Sequence, residues 1–135
     1  MRGIENLHPK VRELAELFVA KCKEAGLRVA ILDTLRTEAE QNAIPTANTN
    51  AKYPDSYHNW GLAFDFCRNY AGKEWDNSDG LFEKCGEIGK SIGLFWGGDF
   101  KTLKGDLGHL EYRGFGTVKE LGEKFKTPER FLGGY

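Results

Sequence analysis

Apolar residues recur at helical spacing through Val11, Leu14, Ala15, Phe18, Cys22 and Ala25, after His8-Pro9 and before Gly26. Proline near a first helical position sacrifices no hydrogen bond and glycine just past the last one stops the helix. The pattern therefore predicts a helix with one buried stripe. Within residues 27–34 the apolar residues Val29, Ala30, Ile31 and Leu32 are continuous rather than periodic, which predicts a short strand buried on both faces. Thr37 followed by Glu40 has the capping-box spacing and predicts a short helix. Residues 44–55 and 69–79 are polar, carry turn-forming residues and have no period, so they read as loops. Between them, GLAFDFC at 61–67 alternates strictly. As a strand it places Leu62, Phe64 and Phe66 on one face and Gly61, Ala63, Asp65 and Cys67 on the other.

Further along, Ser78 or Asp79 is placed to cap a helix whose stripe is Leu81, Phe82, Cys85, Ile88, Gly89 and Ile92, ending at Gly93. Leu94, Phe95 and Trp96 predict a strand, and Gly97-Gly98-Asp99 a turn leading into a loop over 100–105. A strand over 108–112 would put His109 and Glu111 on one face and Leu110 and Tyr112 on the core side. Residues 117–125 predict a last helix with Val118, Leu121 and Phe125 inward. The tail at 127–135 has little pattern, and either packs on the domain or begins a linker.

Composition narrows the classes. A chain of 135 residues is one domain, 1–135, with room for a proper core. No stretch approaches the roughly 20 apolar residues needed to span a bilayer, so membrane insertion is not expected. The first residues lack the apolar segment of a secretory signal, so synthesis in the cytoplasm without a signal peptide is the expectation. A net charge of −1 argues against nucleic-acid binding. Three cysteines, Cys22, Cys67 and Cys85, are odd in number and lack metal-site spacing, so free thiols are expected. Cys67 shares strand parity with Asp65 and is a minor rival ligand.

The candidate chemistry lies on the polar face of the 61–67 strand. His58 just precedes it, where a loop can turn its ring over Gly61 and Ala63 towards Asp65. A catalytic zinc usually takes three protein ligands and an open position. Of the two other histidines, His8 has no acidic neighbour suggesting a site, whereas His109 shares a face with Glu111. Asp106 lies on a glycine-flanked bend three residues before His109, where a carboxylate can act as general base. The constellation is His58, Asp65 and His109 around a divalent metal, with Asp106 beside it. Arg36, at a strand end, reads by itself more readily as a surface residue than as a cleft donor. Glu111 is either an orienting partner of His109 or an exposed strand residue, and Ser56 either bonds the His58 loop or substrate or simply forms a turn. Trp60, Trp96 and Tyr112 are candidates to line a groove, with a core role as the default for each.

The pattern S-x-H-x-x-G-x-A-x-D from Ser56 to Asp65, followed by D-x-x-H from Asp106 to His109, resembles the zinc-dependent peptidoglycan peptidases of the D-alanyl-D-alanine carboxypeptidase superfamily. Leu35-Arg36-Thr37 with Glu40-Gln41, and Trp96-Gly97-Gly98-Asp99, extend the likeness, which is strongest to L-alanyl-D-glutamate endopeptidases of the bacteriophage endolysin type. That resemblance implies zinc bound by His58, Asp65 and His109, with Asp106 as catalytic carboxylate and Arg36 steadying the oxyanion. It also makes Gln41, in the same segment, a candidate to bind substrate or support the site, and implies a peptidoglycan stem peptide as substrate. The expected fold is α+β, a small mainly antiparallel sheet flanked by helices with the zinc cleft on one sheet face. The expected state is a monomer acting on the bacterial cell wall, with the loop at 44–55 walling the groove. A D-Ala-D-Ala carboxypeptidase or dipeptidase, and a non-catalytic wall-binding domain, are the alternatives.

Overall fold

The computed structural model describes residues 1–45, 51–101 and 105–133. The first helix, α1 (Pro9–Glu24), starts at His8, whose Nδ1 accepts from the Lys10 backbone N–H. It buries Val11, Leu14, Ala15, Phe18 and Cys22. Ala25 is the C-cap and exposed, so the stripe ends one turn earlier than the spacing predicts.

Four strands follow: β1 (Val29–Ile31), β2 (Ala63–Arg68), β3 (Phe95–Trp96) and β4 (His109–Glu111). They form one sheet in the order β1-β2-β4-β3 with every pairing antiparallel. The expectation that residues 27–34 are buried on both faces fails, because β1 is an edge strand of three residues and only Val29 is buried. A strand with one neighbour keeps a side open to solvent, whatever its hydropathy.

The alternation in β2 holds. Leu62, Phe64 and Phe66 are fully buried against α1 and α3 (Leu81–Ser91), with the Phe18 ring 5.7 Å from Phe64 and 5.1 Å from Phe66. Helix α3 buries Leu81, Phe82, Cys85, Gly86 and Gly89, while Ile88 and Ile92 are only partly covered. Its N-cap position is Gly80, and Asp79 helps by accepting from the Leu81 N–H at 3.2 Å. The thiols of Cys22 and Cys85 meet in this layer, 3.7 Å apart, a pairing no sequence spacing announces. Cysteines 22, 67 and 85 are all free.

The short helix α2 (Glu38–Asn42) has the reciprocal capping box expected of Thr37 and Glu40. Thr117 and Glu120 cap α4 (Val118–Phe125) in the same way. The tail is not patternless in space: α5 (Pro128–Gly133) buries Pro128 and Phe131, and the Phe131 ring lies 5.8 Å from Trp60 and 5.0 Å from His8. The packing alternative for this segment is therefore the observed one as far as residue 133. No described helix is long and apolar enough to cross a membrane. Much of the 44–55 loop, at 46–50, and residues 102–104 of the 100–105 loop lie outside the described residues.

Gly86 shows how closely α3 approaches the sheet. A Cβ there would sit well inside van der Waals distance of the Trp96 ring, a rigid group in a buried position. Alanine in a helix interior ordinarily gains about 1 kcal/mol over glycine, whereas overpacking a core costs about 1–3 kcal/mol. Gly86→Ala is therefore expected to lower stability in urea or thermal denaturation; a gain would mean the ring moves aside at no cost.

Candidate metal centre

His58 is carried by a 3-10 turn, Tyr57–Trp60, not by an irregular loop. Ser56 caps it, accepting from the His58 N–H, while Asn59 returns a bond to the Ser56 N–H. Gly61, in the left-handed region, closes the turn and starts the approach to β2. The antiparallel register of β2 and β4 then sets Asp65 directly opposite His109 and Ala63 opposite Glu111. Side chains opposite one another share a face, so the four residues project to the same side of the sheet, with Ala63 leaving room between them.

One ligating atom from each of His58, Asp65 and His109 lies within 4.8 Å of the others. Asp65 Oδ1 is 3.2 Å from His58 Nε2 and 3.2 Å from His109 Nδ1. Both imidazoles are oriented from behind. His58 Nδ1 is 2.8 Å from the Thr34 carbonyl, which can only accept, so Nδ1 carries a proton and Nε2 is the nitrogen turned to Asp65. His109 Nε2 is 2.7 Å from Glu111 Oε1, and Arg113 Nε donates to Glu111 Oε2 at 2.7 Å. With Glu111 ionised, His109 carries its proton on Nε2 and presents Nδ1 inward. Two imidazole nitrogens and one carboxylate oxygen thus converge on one point, where the metal-free centre holds protons that a cation would replace. That donor set, two imidazoles and one carboxylate with carbonyl and carboxylate partners behind, fits a divalent cation with room for a further ligand.

The electrostatics agree. Burial works to raise the Asp65 carboxyl, but the charge of His58 and hydrogen bonds from His109 and His58 outweigh it and hold Asp65 below the usual carboxylate range. Burial works to lower His109, yet hydrogen bonds to Asp65 and Glu111 prevail and push it up to about 10. Glu111, 4% exposed, is a partner of His109 and not a solvated strand residue; despite burial, His109 and Arg113 keep its carboxyl lowered.

Asp106 reaches the site through a tight turn in which its carbonyl accepts from the His109 N–H at 3.1 Å and its own N–H donates to Gly97 O at 2.9 Å. Gly97 is required there, since a Cβ would strike the Asp106 carbonyl and the His109 side chain. Asp106 keeps an open side to solvent. The protein atoms on its other side raise the carboxyl above its ordinary value, and Asp65 adds to this against the opposing charges of His109 and His58. Arg36 is mostly buried, its Nη2 is 4.0 Å from Asp65 Oδ2, and its Nη1 donates to Gln41 Oε1 at 3.1 Å. Gln41 in turn donates to Ala51 O, and Asn59 bonds both Gln41 and the Arg36 carbonyl. Arg36 therefore faces the cleft, braced by a buried amide pair.

Two sequence candidates stand elsewhere. Trp60 is fully buried with its indole N–H on Pro54 O, and Trp96 is 7% exposed with its indole N–H on Leu107 O, so both are core residues and not groove lining. Tyr112 is half-buried against Phe115. Cys67 is buried and outside the ligand group. The Thr34 carbonyl, Asn59 and Arg113 had no prior signal. A backbone acceptor has no residue type to read, and the two side chains matter only through contacts.

A family model described as D-alanyl-D-alanine carboxypeptidase matches residues 49–112, the span that carries His58, Asp65, Asp106 and His109. The peptidoglycan L-alanyl-D-glutamate endopeptidase CwlK of Bacillus subtilis is 34% identical, over 78% of this chain and 73% of its own length. The chain belongs to the D-alanyl-D-alanine carboxypeptidase family of peptidases. The α+β fold agrees. The L-Ala D-Glu endopeptidase ChiX of Serratia marcescens superposes with a TM-score of 0.65 at 19% identity, covering 87% of this chain and 86% of its own. A mutant of the vancomycin resistance D,D-pentapeptidase VanY, solved in complex with Zn(II), superposes at 0.61 with 14% identity, covering 93% and 83%.

The raised His109 sets the pH behaviour of metal uptake. In the metal-free protein a proton stays on this imidazole throughout the neutral range, and a cation must displace it. The same proton stabilises the metal-free fold fully below about pH 6.5, and that contribution fades as pH rises through about 10. Metal affinity is therefore expected to rise towards about tenfold per pH unit between pH 6 and 8, measured by competition with a chelator. A flat profile would show that no proton is displaced.

Proposed function

We propose that this chain is a zinc peptidase that hydrolyses the L-Ala-D-Glu bond in the stem peptide of bacterial peptidoglycan. The observation that carries the reading is the convergence of His58 Nε2, Asp65 Oδ1 and His109 Nδ1, each imidazole oriented by an acceptor behind it, in a chain of this peptidase family. When bound, zinc supplies Lewis acidity and brings the pKa of a water towards about 7.

The chain's own residues do the rest. Asp106 takes the proton of the attacking water and passes it to the departing amine; its raised carboxyl is better matched to that exchange than an ordinary aspartate. Arg36 donates to the oxyanion that develops on the scissile carbonyl, and its tether to Gln41 holds the guanidinium in place before substrate arrives. Glu111 and the Thr34 carbonyl keep the two imidazoles in their ligating tautomers. We assign the enzyme a bacteriolytic, endolysin-type role and a monomeric state on the likeness of its motifs to that group.

Alanine at His58, Asp65 or His109 is expected to remove both zinc and activity. Asp106→Ala is expected to retain stoichiometric zinc while losing roughly 10²–10⁴-fold in kcat; zinc retained by His109→Ala, or turnover by Asp106→Ala, would reassign those residues. Digestion of purified sacculi followed by mass spectrometry decides the bond. New amino-terminal D-Glu is the expected product, whereas released D-Ala would make the enzyme a carboxypeptidase. Lysis of permeabilised bacteria by added protein tests the endolysin role.

A further inference from the structure

Beside the centre lies a cavity of about 460 Å³ lined by Tyr57, Arg113, Gly116, Thr117, Val118 and Glu120. It adjoins the ligand set at two points. Tyr57 directly precedes His58, and Arg113 ends the chain of contacts that runs through Glu111 to His109, with 2.7 Å at each link. Arg113 lies two residues past the end of β4, and its bond to Glu111 brings its side chain to the side of the sheet that carries the site.

The guanidinium is held in a defined orientation. Its Nε donates to Glu111, and its plane lies over the Phe95 ring with Cζ 3.5 Å from the centroid. Tyr57 stands across from it at 6.0 Å, fixed by its hydroxyl on Gly116 O at 2.9 Å. Positioning Glu111 uses one N–H of five. Among the described residues the two Nη groups make no hydrogen bond, and the side chain is 47% exposed. The cavity's acidic member, Glu120, is turned to the Thr117 N–H at 3.0 Å and makes no ion pair with Arg113 among the described residues, although it keeps its charge. A planar fork with its Nη edge free, backed by an aromatic ring, is the arrangement that reads a carboxylate.

We infer that this cavity is a substrate subsite in which Arg113 binds a free carboxylate of the stem peptide next to the scissile bond. The inference rests on the peptidase reading above. Two carboxylates are available on that side of the bond: the α-carboxylate of the γ-linked D-Glu, and the carboxylate on the side chain of a diaminopimelate that follows it. Arg113 is thus a specificity residue through its Nη groups and a positioning residue for Glu111 through its Nε.

The test uses the full-length zinc-loaded protein and four synthetic stem peptides: one with both carboxylates free, one amidated at D-Glu, one amidated at the diaminopimelate, and one amidated at both. The wild type is expected to cleave the free peptide with kcat/KM about 10- to 100-fold above one singly amidated peptide, which names the carboxylate bound. Arg113→Gln should erase that preference, and Arg113→Lys should restore part of it, whatever loss the variants share on all four peptides through Glu111. Zinc content and the thermal midpoint of each variant are measured alongside. If all four peptides are cleaved alike by the wild type, or if Arg113→Gln lowers every rate by the same factor, the subsite is refuted and only the positioning role stands. If no peptide is cleaved, the peptidase reading itself fails.

Discussion

The site depends on the antiparallel register that sets Asp65 of β2 opposite His109 of β4. Strand side chains have a period of two, so a slip of one residue would send Asp65 into the layer that holds Phe64 and Phe66 and turn His109 towards the core. The apolar face prevents this. Leu62, Phe64, Phe66 and Leu110 are all fully buried, and a one-residue slip would expose apolar side chains now in that layer. The hydrophobic side of the sheet thereby positions the polar side, and the small Ala63 keeps the floor open above it.

The polar face is costly on its own terms. A carboxylate and two imidazoles, all largely withdrawn from water, would repel one another as three acceptors unless a proton or a cation is shared among them. Each therefore has a second partner that limits the cost. Thr34 O fixes His58, Glu111 fixes His109, Arg36 lies 4.0 Å from Asp65, and Arg113 balances Glu111. The charges alternate outward from the centre, which lets a buried acidic and basic cluster coexist with a compact core. Arg36 and Arg113 approach that centre from opposite neighbours, one through Asp65 and the other through Glu111.

Much of the organisation was legible in sequence because it is written in local periods. The α1 stripe, the β2 alternation, the α3 stripe and the capping boxes at Thr37 and Thr117 are each contained in a few residues and needed no partner to be read. What local pattern misread or left open has a common cause. Residues 27–34 look doubly buried by hydropathy, yet an edge position is decided by which strands pair. Trp60 and Trp96 take the core role that is their default, but the acceptors of their indoles at Pro54 and Leu107 could not be read beside the motif. The α5 segment shows little pattern because its two buried residues, Pro128 and Phe131, face a surface formed by Trp60 and His8 from far upstream.

The sequence alone determined the residue types and parities of the centre: a histidine before an alternating strand, an aspartate on its polar face, and a second histidine three residues after a glycine-flanked aspartate. Those follow from side-chain chemistry and the period of a strand, both local properties. Tertiary structure alone decided which nitrogen of each imidazole faces Asp65, that Glu111 is buried, and that Arg113 has both Nη groups to spare. A tautomer, a burial and an unspent hydrogen bond are set by what lies across space, here Thr34, Arg113 and Phe95, and proximity of that kind leaves no mark on the order of residues.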